Sequence, residues 1–261
     1  MNFKRIRLIF IIAFVLLDLV LLGSYLWGTN YTTAKSTDDE QTALLKELKN
    51  DSITVPALSQ HRQSGYYLSA KQDGQLTAKT TALRGVVART SGELTVATYQ
   101  HPVRLGSRTP TEVLAYLTRH HRLKYGGAYR YQARRSSKTT LVYAQQLAGR
   151  PVIGDQGELR IRLNKHGAAT GFTQGHLTAV KRLRARQQTL SQLAVVGLLY
   201  KNNQLSANTT VKAVTLGYAR LTSQGDQDVY VPTWVARVKN SSSTSKQTLR
   251  INAFKGTIVK E

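Results

Sequence analysis

The chain has 261 residues, contains no cysteine and carries a formal charge of +23, from 37 lysines and arginines against 14 acidic residues. The absence of cysteine excludes disulfides, thiolate catalysis and sulfur-ligated metal sites. The excess of positive charge attracts polyanions in general, although a basic proteome or an evenly solvated surface would produce the same balance. The length leaves room for one large folded domain or two small ones.

The first element is an apolar run from Leu8 to Trp27, about 20 residues long, which is the length that crosses a bilayer as a helix. Three basic residues precede it: Lys4, Arg5 and Arg7. A positive flank stays on the cytoplasmic side, so residues 1–7 are predicted to be a cytoplasmic tail and the chain after the helix to lie outside the cell. We therefore expect a single-pass protein of the cell membrane with an extracellular C-terminal region.

Aromatic residues mark the outer end of this predicted helix. Tyr25, Trp27 and Tyr31 fall where the aromatic belt of the outer interface is expected. A cleavable signal peptide is the alternative interpretation, and it requires a shorter apolar core followed by a small-x-small cleavage site. The segment after the run, GSYLWGTNYTTAKS, has no convincing site of that kind, so we favour a retained anchor.

Asp18 is an ionisable residue near the middle of the apolar run. Such residues are costly inside a membrane and usually face a partner helix. The alternative is that a neutral, protonated Asp18 is tolerated by a strongly apolar helix. We take Asp18 as a candidate partner contact in the membrane.

The region 28–107 is predicted to contain a juxtamembrane helix and a first β-rich part. Thr37 and Glu40 have the spacing of a capping box at the start of that helix, and Asn50-Asp51 ends it. Two hairpins are expected after it: 66–70 with 75–78 across the turn at Asp73-Gly74, and 85–88 with 94–99 across Ser91-Gly92.

Two helix-plus-sheet units are predicted next, at 108–180 and 188–261. The first opens with Thr109-Pro110-Thr111-Glu112, which combines an N-cap, a proline at the first helical position and a box partner. The second opens with Thr189 to Gln192 as a further box, and Asn202-Asn203 ends its helix. Strands are expected at 128–133, 139–147, 158–163 and 168–176 in the first unit, and at 211–221, 228–238, 247–253 and 257–259 in the second. The predicted fold class is α+β, with each helix packed on an antiparallel sheet.

The hairpins that close the two units are similar. LRI at 159–161 leads to KHG at 165–167, and LRI at 249–251 leads to KG at 255–256. The order of elements also agrees between the units. These observations favour an internal duplication, although two antiparallel hairpins can agree this far by chance.

The sequence contains no recognisable catalytic pattern. It has no G-x-S-x-G elbow, no H-E-x-x-H and no glycine-rich phosphate loop after a strand. His120 and His121 are adjacent, so they point to different faces of a helix and do not form an i, i+4 metal pair. His166 and His176 are better explained as surface or turn histidines.

Asp155 and Glu158 are the one nearby pair of carboxylates in this region, and turn chemistry accounts for Asp155 without a catalytic role. Tyrosines alternate with arginine in the predicted strands. Cross-strand packing is the commoner reason for tyrosine in a sheet, although a surface that stacks on bases is possible. We therefore predict that the protein is not an enzyme and has no catalytic, cofactor-binding or metal-ligating residues.

Several stretches carry a resemblance to a known family. The chain opens with MNFKRI and an IFIIAF run at 9–14, and its predicted span has a polar residue in the second half. RPVI at 150–153 leads through GEL at 157–159 into a strand, and VTLGY (214–218), VPTW (231–234) and INAFKGTI (251–258) follow in order. On these residues the chain resembles the YycI family, membrane-anchored accessory proteins of the essential cell-wall two-component system of low-GC Gram-positive bacteria. Asp18 departs from the asparagine expected there.

The resemblance implies a fold shared with the partner protein YycH, built of α+β units in which a helix packs on an antiparallel sheet. It also implies the function, which is to modulate a sensor histidine kinase of the WalK/YycG type together with YycH. The contacts implied are between membrane helices and between the extracytoplasmic domains.

The alternative function is a basic module that binds cell-wall polymers or lipid and has no kinase partner. Outside a membrane the available polyanions are anionic headgroups and phosphate-bearing wall polymers, so a nucleic-acid partner is not expected. The basic residues are concentrated in two places: Arg130, Arg134, Arg135 and Lys138, and Lys181, Arg182, Arg184 and Arg186.

Overall fold

The structure is a computed structural model that describes residues 13–22, 38–241 and 246–259. The chain divides into two compact units, with the boundary between Glu47 and Leu48. Residues 13–22 are helical and exposed along their whole length. Among the described residues, no helix combines the length and the apolar character needed to span a membrane. The predicted span 8–27 extends outside the described residues at both of its ends.

The described residues form four further helices: α1 (Asp38–Asn50), α2 (Leu76–Thr81), α3 (Pro110–Arg119) and α4 (Gln192–Lys201). The predicted capping box of α3 is confirmed. The Thr109 hydroxyl accepts from the Glu112 amide at 3.4 Å, and the Glu112 carboxylate accepts from the Thr109 amide at 2.7 Å. The predicted cap of α1, Thr37, lies outside the described residues.

The start of α4 differs from the prediction by two residues. Ser191 is the N-cap, and its hydroxyl accepts from the Ala194 amide at 3.2 Å. Thr189 instead donates to the Leu190 carbonyl. Gln192 does not reach back to a cap, because its amide bonds to the Ser59 N–H and the Val214 carbonyl. Long-range partners therefore override the local box.

Helices α1, α3 and α4 end in the same way, with a non-glycine residue in the left-handed conformation: Ser52, His121 and Asn203. At the end of α3, the His121 N–H donates to the Thr118 carbonyl and the Arg122 N–H to the Leu117 carbonyl. These two hydrogen bonds are the pattern of a Schellman motif, which gives partners to the last free carbonyls of a helix. His121 thus terminates a helix, and the predicted end of α4 at Asn202-Asn203 is confirmed.

The described residues also form fourteen strands: β1 (Ser64–Gly65), β2 (Leu68–Gln72), β3 (Val86–Ser91), β4 (Leu94–Val103), β5 (Tyr129–Tyr131), β6 (Thr140–Leu147), β7 (Arg150–Ile153), β8 (Glu158–Leu163), β9 (Ala169–Gln174), β10 (Leu177–Arg182), β11 (Gln187–Gln188), β12 (Thr209–Gln224), β13 (Gln227–Asn240) and β14 (Lys246–Asn252). Short 3-10 turns lie at Gly126–Ala128, Ala133–Arg135 and Asp155–Gly157. The α+β class is confirmed.

Twelve of these strands form one mixed sheet in the order β10-β2-β13-β12-β7-β6-β8-β9-β4-β3, with β14 added to β13 and β5 to β6. Strands β1 and β11 pair separately. One pairing is parallel, between β7 and β12, where Val152 lies opposite Tyr218. The expectation of purely antiparallel sheets is therefore wrong. Strand β7 folds back from β6 and then continues alongside β12, which links strands of both predicted units.

The hairpin predicted across Ser91-Gly92 is confirmed, because β3 pairs with β4 and Ser91 lies opposite Leu94. The hairpin predicted across Asp73-Gly74 is wrong, because the segment after the turn is helix α2. Leu76 and Thr80, four residues apart, are its buried positions, and this spacing places both on one face of a helix. Strand β2 instead pairs with β10 and β13.

Two clusters of buried side chains in the described part of the chain position the features discussed below. In the first cluster, Val113, Leu114 and Leu117 of α3 pack against strands β3, β4, β6, β8 and β9. Leu159 of β8 and Phe172 of β9 are two of the buried residues on the sheet side. The second cluster takes residues from six strands that are consecutive in the sheet order: Leu177 of β10, Leu68 and Ala70 of β2, Tyr230 of β13, Tyr218 of β12, Val152 of β7 and Leu147 of β6. The sheet therefore curls until β10 approaches β6.

Candidate functional site

Asp18 is the one predicted partner-contact residue that the structure describes. It lies in the helical residues 13–22 and is exposed. Large apolar side chains surround its position along the helix and are exposed as well: Phe14, Val15, Leu16, Leu17, Leu19, Val20, Leu21 and Leu22. The other predicted residues of the anchor, namely Lys4, Arg5, Arg7, Tyr25, Trp27 and Tyr31, lie outside the described residues, and their roles stay predictions.

His176 is not a surface histidine, since it is partly buried with a carboxylate partner. Its Nδ1 lies 3.4 Å from the Asp73 carboxylate, and its ring stacks on Tyr125 with the ring centroids 4.1 Å apart. Lys79 bonds to the same carboxylate at 3.3 Å. The sequence did not reveal this cluster, because 103 positions separate the imidazole from its acid.

The cluster joins the turn after β2 to the turn before β10. Burial lowers the pKa of His176, and the bond to Asp73 offsets this only in part. Burial alone would raise the pKa of Asp73, but the bonds from Lys79 and from the Gln75 amide hold it below its ordinary value. The imidazole is therefore neutral and the carboxylate ionised at pH 7. Within the described part of the chain, no three His, Asp or Glu side chains are grouped as a metal site.

A groove of about 830 Å³ lies on the open face of strands β12, β13 and β14. The other face of these strands packs against α4, where Trp234 donates its indole N–H to the Leu190 carbonyl at 2.9 Å. The opposite wall is made by the 3-10 turn at Ala133–Arg135, strand β7 and the turn at Gly154 and Asp155.

Of the described residues that line the groove, seven are cationic and one, Asp155, carries a carboxylate. The seven are Arg134, Arg135, Arg160, Lys212, Arg237, Lys239 and Arg250. Because the carboxylates are so few, the groove has a strongly positive potential, and a concave surface focuses such a field.

Glu158 contacts two of these cations. Its carboxylate is buried and forms ion pairs with Arg135 and Arg160, and Arg160 also lies 3.3 Å from Asp155. Burial would lower the pKa of Arg160, but its bonds to Glu158 raise it overall. Glu158 is thus a structural anchor of the groove wall, and turn chemistry does not explain it.

Four other cations of the groove have no such partner in the described part of the chain. Among the described residues, no carboxylate forms a salt bridge with Arg134, Lys212, Arg237 or Lys239. Burial lowers the pKa of the half-buried Arg237, and the nearby positive charges of Arg134 and Arg135 lower it further. The groove therefore brings together four positive charges that have no carboxylate partner among the described residues.

Sequence reasoning found only part of this groove. Arg134 and Arg135 belong to the first predicted basic concentration, whereas Arg130 bonds to the carbonyls of Gly127 and Tyr129. In the second concentration, Arg182 and Arg184 lie over the rings of Tyr66 and Tyr67. Arg237 and Lys239 were not predicted as part of a basic cluster. Their alternation with Val235, which places all three side chains on one face of β13, is the local signal that could have found them.

Two solved structures share a distant likeness. An uncharacterized protein from Eubacterium rectale ATCC 33656 has a TM-score of 0.46 and 11% identity, over 81% of this chain and 92% of that chain. The Bacillus megaterium YpeB C-terminal domain has a TM-score of 0.36 and 13% identity, over 86% and 96%. Both are too distant to support a functional argument, and no curated protein matches.

The family comparison is decisive. The family described as YycI protein matches residues 32–254, which is most of the chain. The resemblance to this family is thereby confirmed, while the N-terminal motifs at 1–14 lie outside the matched residues. The chain belongs to the YycI family, whose role is regulatory and associated with the YycFG two-component system.

Proposed function

We propose that this protein modulates the sensor histidine kinase of that system, a WalK/YycG-like protein, and that it acts together with YycH. The observation that carries the proposal is the YycI family match over residues 32–254. The contacts are made by a transmembrane helix and by the extracytoplasmic domain. Reciprocal co-purification of this protein, the kinase and YycH from membranes tests the assembly. The proposal is contradicted if the kinase does not co-purify with this protein.

The proposed location is the cell membrane, with a cytoplasmic N-terminus and an extracellular domain. The apolar run 8–27, its basic flank and the exposed apolar surface of residues 13–22 support this location. The cysteine-free chain allows a clean test. A Ser107→Cys variant on whole cells should react with a membrane-impermeant maleimide, whereas an Asn2→Cys variant should react only after lysis. The reverse pattern contradicts the proposed topology.

Asp18 is proposed to bond to a partner helix inside the membrane. Polar contacts and close packing hold membrane helices together, at roughly 1 kcal/mol per hydrogen bond. Asp18→Leu should therefore lower co-purification of the kinase or of YycH by about fivefold, and Asp18→Asn should retain it if a neutral bond suffices.

A displaced carboxylate is the matched control for this test. In the double variant Leu16→Asp/Asp18→Leu the acid moves about 200° round the helix, since each residue turns it by about 100°. This variant should not restore the contact. If the double variant restores co-purification, or if Asp18→Leu leaves the co-purification of both the kinase and YycH unchanged, Asp18 has no specific role.

The finer organisation of the domain into two units, 108–180 and 188–261, is part of the proposal, as is its likeness to YycH. A capped helix opens each unit, α3 and α4. Both closing hairpins turn at an asparagine whose side chain accepts from backbone amides, Asn164 and Asn252. Both turns then pass through a glycine with positive φ, Gly167 and Gly256. These likenesses support an ancestral duplication.

The proposal includes no catalytic activity and no cofactor. Two of the titratable side chains considered as catalytic candidates have structural partners. His176 contacts Asp73, and Glu158 forms ion pairs with two arginines. A second candidate function is the binding of an anionic wall polymer. The unbalanced cations of the groove favour it, and it is independent of kinase contact.

A further inference from the structure

We propose that the groove on the open face of β12–β14 is a binding site for one extended polyol-phosphate chain, with its phosphates on Arg134, Arg237, Lys239 and Lys212. This inference deepens the second candidate function, on which it rests, by assigning its site and the chemical class of its ligand. It does not depend on the proposed contact with the kinase.

β-strand geometry sets the spacing of two of these cations. Arg237 and Lys239 are two residues apart on β13, so their side chains leave the same face about 7 Å apart. Lys212 is the neighbour of Ala213, which lies opposite Arg237. Arg134 approaches Arg237 from the opposite wall. Arg237 and Lys239 therefore follow the strand direction, which suits a ligand with repeated charges along a line, and Lys212 and Arg134 add positive charge beside them.

The groove holds like charges close together, which is electrostatically unfavourable. Arg237 is half buried and lies near Arg134 and Arg135. Within the ranges that the structure describes, Arg135 is the one of these three with a carboxylate partner, Glu158. Like charges at short range repel, and partial burial strengthens the repulsion. An anion placed between them removes this cost and gains charge-assisted hydrogen bonds. The groove is therefore organised for a negative ligand before one arrives.

The lining indicates which anion fits. Guanidinium groups match phosphate oxygens with two parallel N–H donors, and neutral donors accompany them: Gln132, Thr215, Gln247 and Thr248. The apolar edges of Pro151, Ile153 and Val235 can contact methylene groups. Among the described residues that line the groove none is aromatic, so it lacks the stacking platform of a nucleic-acid site and the aromatic anchors typical of a protein interface.

The size of the groove favours a chain over a single headgroup. A volume of about 830 Å³ is typical of a site for a drug-sized molecule and exceeds the needs of one phosphate. Several repeat units of a polyol phosphate occupy such a groove and reach several cations at once. Poly(glycerol phosphate) is the simplest polymer of this class and is the probe of choice.

The test measures binding of labelled poly(glycerol phosphate) to the full chain in a neutral detergent. Arg134→Gln/Arg237→Gln should weaken binding about tenfold or more, since each removes a charge-assisted contact. It should also flatten the dependence of log affinity on log salt, because fewer counterions are released. The matched control is Arg89→Gln/Arg104→Gln, which removes two exposed arginines outside the groove and should bind like the parent. Equal losses in the two variants overturn the proposal.

Competitors decide the ligand class. Inorganic phosphate and vesicles containing phosphatidylglycerol should compete only weakly at equal phosphate concentration. Equal competition by the vesicles would assign the groove to lipid headgroups, and equal competition by a poly-glutamate peptide of the same charge would assign it to an acidic protein; either result overturns the polymer assignment. Folding is checked by the fluorescence of buried Trp234. Kinase co-purification should be unchanged in Arg134→Gln/Arg237→Gln, so failure of this inference is distinguishable from failure of the regulatory proposal.

Discussion

The side chain of Gln145 exchanges two hydrogen bonds with the backbone of Leu177. Its amide nitrogen donates to the Leu177 carbonyl at 2.7 Å, and its amide oxygen accepts from the Leu177 N–H at 2.8 Å. Gln145 belongs to β6 and Leu177 to β10, which are not neighbours in the sheet. The buried glutamine therefore replaces a missing strand pairing where the curled sheet meets itself, over the core formed by six of its strands.

Gln145→Leu should destabilise the domain by about 2–4 kcal/mol. The substitution leaves the buried N–H and C=O of Leu177 without partners, and each unsatisfied group costs about 1–3 kcal/mol. Urea unfolding followed by tryptophan fluorescence measures the change. Gln146→Leu is the matched control, because the Gln146 amide donates only to the nearby Ala144 carbonyl. An equal effect of the two substitutions would show that Gln145 does not close the sheet.

Gly217→Ala should separate the parallel strands β7 and β12. A Cβ at Gly217 meets the Pro151 carbonyl oxygen at 2.6 Å and the Ile153 side chain at 2.9 Å, so one strand must shift. We expect a loss of about 1–3 kcal/mol, the usual cost of overpacking. Gly74→Ala is the control, because a Cβ there meets nothing within 4 Å. If thermal unfolding is unchanged in Gly217→Ala, the close β7–β12 contact is not present in solution.

The stability of the domain should fall as the pH drops below about 6.5, partly because of His176. The pKa of this imidazole is lowered by burial, so the unfolded chain binds a proton more readily than the folded one. The stabilisation is therefore present above the unfolded pKa and is lost as the pH falls through the folded value. Asp73, whose pKa is also lowered, acts in the same direction but only near pH 4 and below.

His176→Gln should remove the histidine part of this dependence. The measurement is the free energy of unfolding between about pH 7.5 and pH 5, and the readout is its slope, because the substitution also loses the stacking on Tyr125. His166→Gln, in the exposed turn between β8 and β9, should leave the slope as it is in the parent. A slope that persists in His176→Gln assigns the pH dependence to another group.

Glu158→Gln should destabilise the wall of the basic groove. It removes the buried negative charge between Arg135 and Arg160, whose side chains are 36% and 50% exposed. Because the arginines are partly solvated, we expect about 1–3 kcal/mol, less than for a fully buried pair. Glu93→Gln, which removes a half-exposed partner of Arg220, should cost less than about 1 kcal/mol. A neutral effect of Glu158→Gln would show that the two ion pairs contribute nothing net.

Local patterns were readable from the sequence because short-range interactions decide them. The Thr109–Glu112 box, the Ser91-Gly92 hairpin and the end of α4 at Asn203 each depend on groups within a few positions of one another. The motifs at the two ends of the chain also indicated the YycI family. The apolar run with Asp18 and its flank stays a prediction, because most of it lies outside the described residues.

Only the tertiary structure decided what depends on distant partners. Segment 75–78 has an alternating pattern compatible with a strand, yet burial of Leu76 and Thr80 against the rest of the domain makes it a helix. The parallel pairing of β7 with β12, the bond between Asp73 and His176, and the approach of Arg134 to Arg237 join residues tens of positions apart. The sequence by itself determined the composition, the charge and the local elements of this protein. The curled sheet depends on long-range packing, and that packing brings Arg134 of one segment to the Arg237 and Lys239 face of another to form the basic groove.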